Sequence, residues 1–148
     1  MREPYQVLSI PYKIIDGEIV FCIFKRANGN YWQFIAGGGE NGETPLEAAE
    51  RETTEEIGIA PKNIEQLTCI AYVPAEVIAE SLRQHWNKNT VVIPEYSFAF
   101  ECDSELTLSH EHTEYKWLTY DEAQKLLKWD SNKVAMYEIK CNFCSDQR

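Results

Sequence analysis

Between Gly37 and Ile59 the chain reads GGGENGETPLEAAERETTEEIGI, and no other stretch constrains the fold as tightly. Three glycines come first. A helix with both ends marked follows. Thr44 and Glu47 have the spacing of a capping box, Pro45 suits the first helical position, and Gly58 suits the stop. A helix over 45–57 is therefore predicted. It carries Glu47, Glu50, Glu52, Glu55 and Glu56 within ten residues. On a helical wheel with Glu52 at zero, Glu56 falls at about +40° and Glu55 at about −60°, so the three carboxylates share one face. Leu46, Ala49, Thr53 and Ile57 form the neighbouring face, which is expected to pack on a sheet.

Two readings fit this helix. One is a solvated acidic face, although like charges four residues apart, as at Glu52 and Glu56, cost about 0.2–0.5 kcal/mol. Arg51 alone offers relief, to Glu47 or Glu55. The other is a site for a hard divalent cation, which takes clustered carboxylate oxygens. The glycines bear on the choice. Gly37 to Gly39 follow a strand and Gly42 precedes the cap, and backbone without side chains lets a ligand approach closely. A helix N-terminus also favours anions. A phosphate-bearing ligand bridged to the carboxylates by Mg²⁺ fits both halves of the stretch.

The spacing is also specific. Gly37, Glu43, Arg51, Glu52, Glu55, Glu56, Ile57, Gly58 and Ile59 resemble the signature box of the Nudix hydrolase family, G-x5-E-x7-R-E-U-x-E-E-x-G-U with U a bulky apolar residue. The departure is Thr53 at the first U position, where a weakened packing contact is expected. The resemblance implies an α+β fold, a Nudix-type α/β/α sandwich with a mixed β-sheet and a loop–helix–loop catalytic motif. It implies hydrolysis of a nucleoside diphosphate linked to another group. It makes Glu52, Glu55 and Glu56 ligands of Mg²⁺, with Mn²⁺ a possible substitute, and has Gly37 offer its carbonyl. Arg51 would orient the glutamates and Glu43 would brace the loop. Such an ion screens phosphate oxygens, holds them in line and acidifies a water.

The rest of the chain reads as one domain over 1–148. Strands are expected at Tyr5–Ile15, with Pro11 at a bend or edge, and in EIVFCIFKR after an Asp16-Gly17 hairpin turn. YWQFIA, IEQLTCIAYV, VVIPEYSFAFEC and TEYKWLT supply others. The segment from Ala75 to Trp86 reads as either a helix or a long excursion. Thr119 and Glu122 open a second capped helix, and Asp130 or Ser131 starts a last one through Ile139. Strands and helices mix without βαβ alternation.

From Ser109 to Lys133 a second resemblance, in an E-H-x-x-Y-K-W-L segment followed by W-x-S-N, is to the dATP and dihydroneopterin triphosphate pyrophosphohydrolase branch of the same family. In that frame Glu111 is the candidate carboxylate outside the helix, as a further ligand or general base, with Glu114 the alternative. His110 and His112 could bond phosphate or be solvated loop histidines. Lys25 and Arg26 end a strand that would point toward the glycines, and Arg26 is the candidate phosphate contact. Gly38 would meet the substrate through its backbone. Trp32, Trp129 and Asn132 are candidates for base recognition, with a core role open for Trp32 and a helix-start role for Asn132. Trp117 reads as core.

Composition excludes other classes. A net charge of −10 argues against sequence-independent nucleic-acid binding. No apolar run approaches a membrane span, and no leader-like stretch opens the chain, so the expected setting is cytoplasmic with no membrane partner. The five cysteines read as free thiols, and a lone Cys141-x-x-Cys144 makes a poor zinc site. The expected enzyme is thus a Mg²⁺-dependent pyrophosphohydrolase of a small nucleotide-like triphosphate, possible as a homodimer. A dinucleoside polyphosphate or nucleotide-sugar hydrolase and a non-catalytic nucleotide-sensing module are the alternatives.

Overall fold

The computed structural model describes residues 1–146. Its organising element is β1 (Arg2–Ile15), which lies inside the sheet. On one side it runs parallel to β6 (Val92–Glu101), from Gln6 opposite Glu95 to Tyr12 opposite Glu101. On the other side it has two antiparallel partners in succession. The first half pairs with β4 (Ile35–Glu40), the second with β2 (Glu18–Arg26). The change of partner falls between Ser9 and Tyr12. Pro11 therefore sits neither at an edge nor at a bend but at the junction of two partners, where a missing N–H costs no ladder bond.

Asp16 and Gly17 turn the β1–β2 hairpin with φ of 52° and 79°, the left-handed pair that a two-residue turn needs. β2 then pairs with the short β3 (Trp32–Gln33) and with β7 (His112–Thr119), while β5 (Glu65–Pro74) closes the far edge against β6. The expected single strand over Tyr31–Ala36 is broken at Phe34, whose backbone N–H leaves the ladder and donates to Asn132.

Period-two alternation sorts the core into two layers. Ile19, Phe21 and Ile23 of β2, with Leu8 and Ile10 of β1, face α3 (Tyr120–Leu126) and α4 (Asp130–Asp146) through Ala123, Ala135, Met136 and Ile139. Cys22, Phe24 and Val7 face the opposite way, toward α1 (Pro45–Ile57) through Ala48, Ala49 and Ile57. The result is the helix–sheet–helix sandwich the resemblance implied. α4 continues past Ile139 because Phe143 still packs on the core. Ala75–Trp86 is neither one helix nor bare loop. It holds a 3-10 turn at Ala75–Val77 and the four-residue α2 (Glu80–Arg83). Cys22 and Cys102 are buried, Cys141 and Cys144 exposed, and all the described cysteines are free. Among the described residues no helix is long and apolar enough to cross a membrane.

Candidate active site

The helix ends are as the sequence specifies. Thr44 accepts from Glu47 N–H, Glu47 returns the bond to Thr44 N–H, and Gly58 closes the helix with φ 70°. The packing arc, however, is shifted. Leu46 is 42% exposed, and Ala48, Ala49, Thr53, Ile57 and Glu56 are buried instead. Leu46 lies in the first turn, one residue after Pro45, and contributes little to the sheet contact. Glu56 consequently stands inside the packing arc rather than on a solvated side.

Gly37, Gly38 and Gly39 are residues of β4, not of a loop as expected from the sequence. Gly37 pairs with Val7 and Gly38 with Gln6. Their lack of side chains serves the protein's own groups. A Cβ at Gly37 would overlap the Glu52 carboxylate, and one at Gly38 would overlap the Arg2 guanidinium. Glu52 is thus laid directly against the strand backbone.

Arg51 ties this region together. Its Nε and Nη2 donate to both Glu43 oxygens at 2.7 and 2.9 Å, and Nη2 also donates to the Gly38 carbonyl at 2.9 Å. Its Nη1 reaches Glu52 at 3.1 Å and Glu55 at 3.3 Å. Glu43 also accepts from Glu40 N–H, which closes the turn between β4 and the helix. Burial pushes the Glu52 carboxyl up to about 7, against the pull of Arg51 and with help from the charges of Glu55 and Glu56.

Glu56 belongs to a second group. Its Oε2 accepts from Ser109 Oγ at 2.7 Å and from His112 Nδ1 at 3.1 Å. Burial works to raise this carboxyl, but the His112, Ser109 and Glu111 hydrogen bonds outweigh it and hold Glu56 low. Glu111 is displaced upward, first by its hydrogen bond to Glu56, then by burial and by the Glu56 charge. The two carboxyls are thus pushed in opposite directions, Glu56 down and Glu111 up. Arg26 stands 3.6 Å from Glu111 and favours its ionised form. Backbone bonds lock the arrangement: Ser109 N–H donates to the Glu56 carbonyl, and Ala27 N–H to that of Glu111.

These residues fit a hard cation by donor chemistry, all oxygen and all on one helix face beside Gly37. Among the described residues, though, no three acidic, His or Cys side chains already form a cage. Arg51 occupies the space between Glu52 and Glu55, and Glu56 is turned toward His112 and Ser109. The model of the NUDIX domain matches residues 14–138. The chain belongs to the Nudix family. It is 34% identical over 134 residues to the asymmetrical bis(5'-nucleosyl)-tetraphosphatase of Sus scrofa, covering 90% of this chain and 86% of that one. It is 28% identical over 144 residues to the dihydroneopterin triphosphate diphosphatase of Escherichia coli K12, covering 95% of each. A solved Nudix hydrolase of Listeria monocytogenes superposes with a TM-score of 0.82 at 36% identity, covering 97% of both chains. The protein is accordingly a Nudix hydrolase, a pyrophosphohydrolase of nucleotide-like substrates. Nudix hydrolases generally work with divalent metal ions.

Other residues singled out in the sequence fall at varying distances from this Nudix centre. Arg26 does not run along the glycines. It pairs in register with His112 on β7 and so reaches the carboxylates through Glu111, while Lys25 pairs with Glu114 at 3.5 Å. His112 is not a solvated loop histidine; it begins β7 and is buried against Phe24. Asn132 is buried, and its Oδ1 is taken by Phe34 N–H at 2.8 Å, which fixes the head of α4 to the β3–β4 break. Trp32 packs against the α3–α4 core layer, and its carbonyl accepts from Lys128 N–H. Trp129 is exposed, edge-on to Tyr31, and donates to Gln33. Sequence reasoning missed Ser109, Arg2 and the orienting role of His112. His112 carried a signal, because it follows the candidate Glu111 directly. Arg2 carried none, since only tertiary pairing brings residue 2 to Gly38.

Proposed function

We propose that this Nudix hydrolase acts on a (deoxy)nucleoside or dihydroneopterin triphosphate and releases pyrophosphate with Mg²⁺. The observation carrying this reading is the convergence of Glu52, laid on Gly37, with the Glu56–Glu111 pair beside Arg26. When bound, a divalent cation at Glu52, Glu55 and Glu56 would screen phosphate oxygens and acidify a water. The chain's own groups do the rest. Arg51 and Glu43 hold the turn and orient Glu52. His112 and Ser109 keep Glu56 ionised. Glu111 in its ionised form, which Arg26 favours, would accept a proton from the attacking water. Gly38 would meet the substrate through its backbone, since Arg2 fills the space on its side-chain side.

A second reading, hydrolysis of a dinucleoside tetraphosphate, draws support from the 34% identity to the Sus scrofa enzyme. A non-catalytic sensing module is disfavoured by the intact set Glu52, Glu55 and Glu56. Pyrophosphate release measured with Mg²⁺ across dNTPs, dihydroneopterin triphosphate, dinucleoside polyphosphates and nucleotide sugars tests all of these. Turnover of the triphosphates with pyrophosphate as product supports the proposal. Turnover of dinucleoside polyphosphates alone, or of none of the panel, overturns it.

A further inference from the structure

β5 is the open edge of the sheet. It ends the path β3–β2–β1–β6–β5 and pairs with β6 alone among the described residues. Two observations determine which of its backbone groups face outward. Ala75 N–H donates to the Val91 carbonyl at 2.9 Å, and Tyr72 stands opposite Pro94, which has no N–H to return. Alternate residues of an antiparallel strand bond to the same neighbour, so Ala71, Val73 and Ala75 bond to β6. Ile70 and Tyr72 therefore turn N–H and C=O away from the sheet, and Pro74 turns out a carbonyl alone.

Both ends of this edge are blunted. Upstream, at the register shift between Gln66 and Ile70, the Glu138 carboxylate takes the N–H groups of Thr68 and Cys69. Downstream, Pro74 ends the strand and the chain leaves the sheet in the 3-10 turn at Ala75–Val77. Bulges, prolines and charges are the devices that keep a sheet edge from pairing with another chain. Between them they leave Ile70 and Tyr72 uncovered. These two side chains share one face and are 47% and 66% exposed. From Leu67 to Ala75 no residue is charged, in a chain of net charge −10. The window is thus apolar, unblunted and bounded on both sides.

We propose that this window is a dimer interface, in which β5 of a second copy of the chain lies antiparallel to it about a two-fold axis at Ala71. Ile70 then stands opposite Tyr72 of the second copy, and Tyr72 opposite its Ile70. Each pair exchanges both N–H···O=C bonds, so every outward backbone group of the two residues is satisfied. The β-branched and aromatic side chains meet across the seam on one face. The acids fall out of line. The axis sets Glu65 toward Val77 of the second copy and Glu76 toward its Gln66, so no carboxylate meets another. That offset lets two strongly acidic chains approach. A basic peptide laid on the same edge would find no carboxylate from Leu67 to Ala75 to recognise it. Gly37 and its strand lie beyond β6 and β1 from this edge, so the carboxylate site stays open in the dimer whatever its substrate.

Sedimentation equilibrium of the full chain tests this. The contact is short, so between about 1 and 100 µM the mean mass should rise from 17.2 kDa toward twice that value. Tyr72→Pro removes an outward N–H, and Ile70→Glu puts a charge into the seam of each copy. Both variants should stay at 17.2 kDa throughout that range. Ile70→Glu alters an exposed side chain and should keep far-UV dichroism near the wild type, so the test stands even where the proline variant does not fold. A cysteine locates the axis. In a Cys141→Ser, Cys144→Ser background, Ala71→Cys brings two thiols to a non-hydrogen-bonded pair, with Cα atoms about 4.5 Å apart, and oxidation should link the copies. Val92→Cys, one strand further in, should not link. A wild type that stays at 17.2 kDa at the top of the range overturns the proposal and leaves the edge to an extended segment of another protein. A dimer that persists in Ile70→Glu overturns it too, as does an oxidised Ala71→Cys protein that stays unlinked.

Discussion

His112 Nδ1 donates to the Glu56 carboxylate across 3.1 Å, and the two side chains are 2% and 5% exposed. The contact joins the last turn of α1 to the first residue of β7. His112→Ala leaves Glu56 buried with one donor fewer, so kcat should fall about 10–100-fold with little change in KM. Steady-state kinetics at saturating Mg²⁺ decide it, and an unchanged kcat would show that the pair is only structural.

Glu56→Gln removes the charge that Ser109 and His112 converge on while preserving shape. Activity should drop by about 10²–10⁴-fold, with far-UV dichroism and thermal midpoint near the wild type. Activity within a few-fold of wild type would refute the assignment of Glu56.

Two glycines in the same segment should behave differently. Gly37→Ala places a Cβ into the Glu52 carboxylate and should raise the Mg²⁺ concentration for half-maximal rate about tenfold or more. Gly42→Ala meets open space and has only its φ of 80° to strain, so it should cost about 1 kcal/mol of stability and leave the Mg²⁺ dependence alone. Matching Mg²⁺ titrations for the two variants would contradict the close approach at Gly37.

Thr53, the odd residue of the signature box, makes no weakened contact. Its buried hydroxyl shares a 2.7 Å bond with Ser9 Oγ and donates to the Ala49 carbonyl. Thr53→Val strands the Ser9 hydroxyl and should destabilise by about 1–2 kcal/mol in urea unfolding. Adding Ser9→Ala should recover most of the loss. If the double variant is no better than the single one, the pair is not coupled.

Glu138 on α4 accepts from the backbone N–H groups of Thr68 and Cys69 at 2.6 and 2.8 Å. Burial resists its ionisation, but these bonds win and hold the carboxyl below its usual value. A depressed carboxylate stabilises above its unfolded pKa and loses that contribution as pH falls through the folded value. The stability gap between wild type and Glu138→Gln should therefore be full near pH 6, about 1 kcal/mol for a charge-assisted bond, and should close toward pH 3. A gap independent of pH would mean that Glu138 acts through packing.

Much of the site could be read from residue order because it is local. The capping boxes at Thr44 and Thr119, the stop at Gly58, the shared face of Glu52, Glu55 and Glu56 and the Asp16-Gly17 turn each depend on neighbours within about five residues, where helix and turn geometry fix distance. The Nudix signature is of this kind, since it is one loop and one helix.

What spacing could not supply were relationships set by strand pairing. Glycines 37–39 read as a loop until β1 took them into its ladder. Arg26 was aimed at the glycines until its register with His112 turned it to Glu111. Asn132 offered an amide edge until the Phe34 N–H, 98 residues away in sequence, claimed it. By itself the sequence determined a capped acidic helix behind a glycine run, and with it the family and the carboxylate chemistry. Tertiary structure decided which carboxylate is buried and which of the Glu56–Glu111 pair is held down and which pushed up. Those outcomes depend on burial and on cross-strand neighbours, and both arise only when segments distant in sequence pack together.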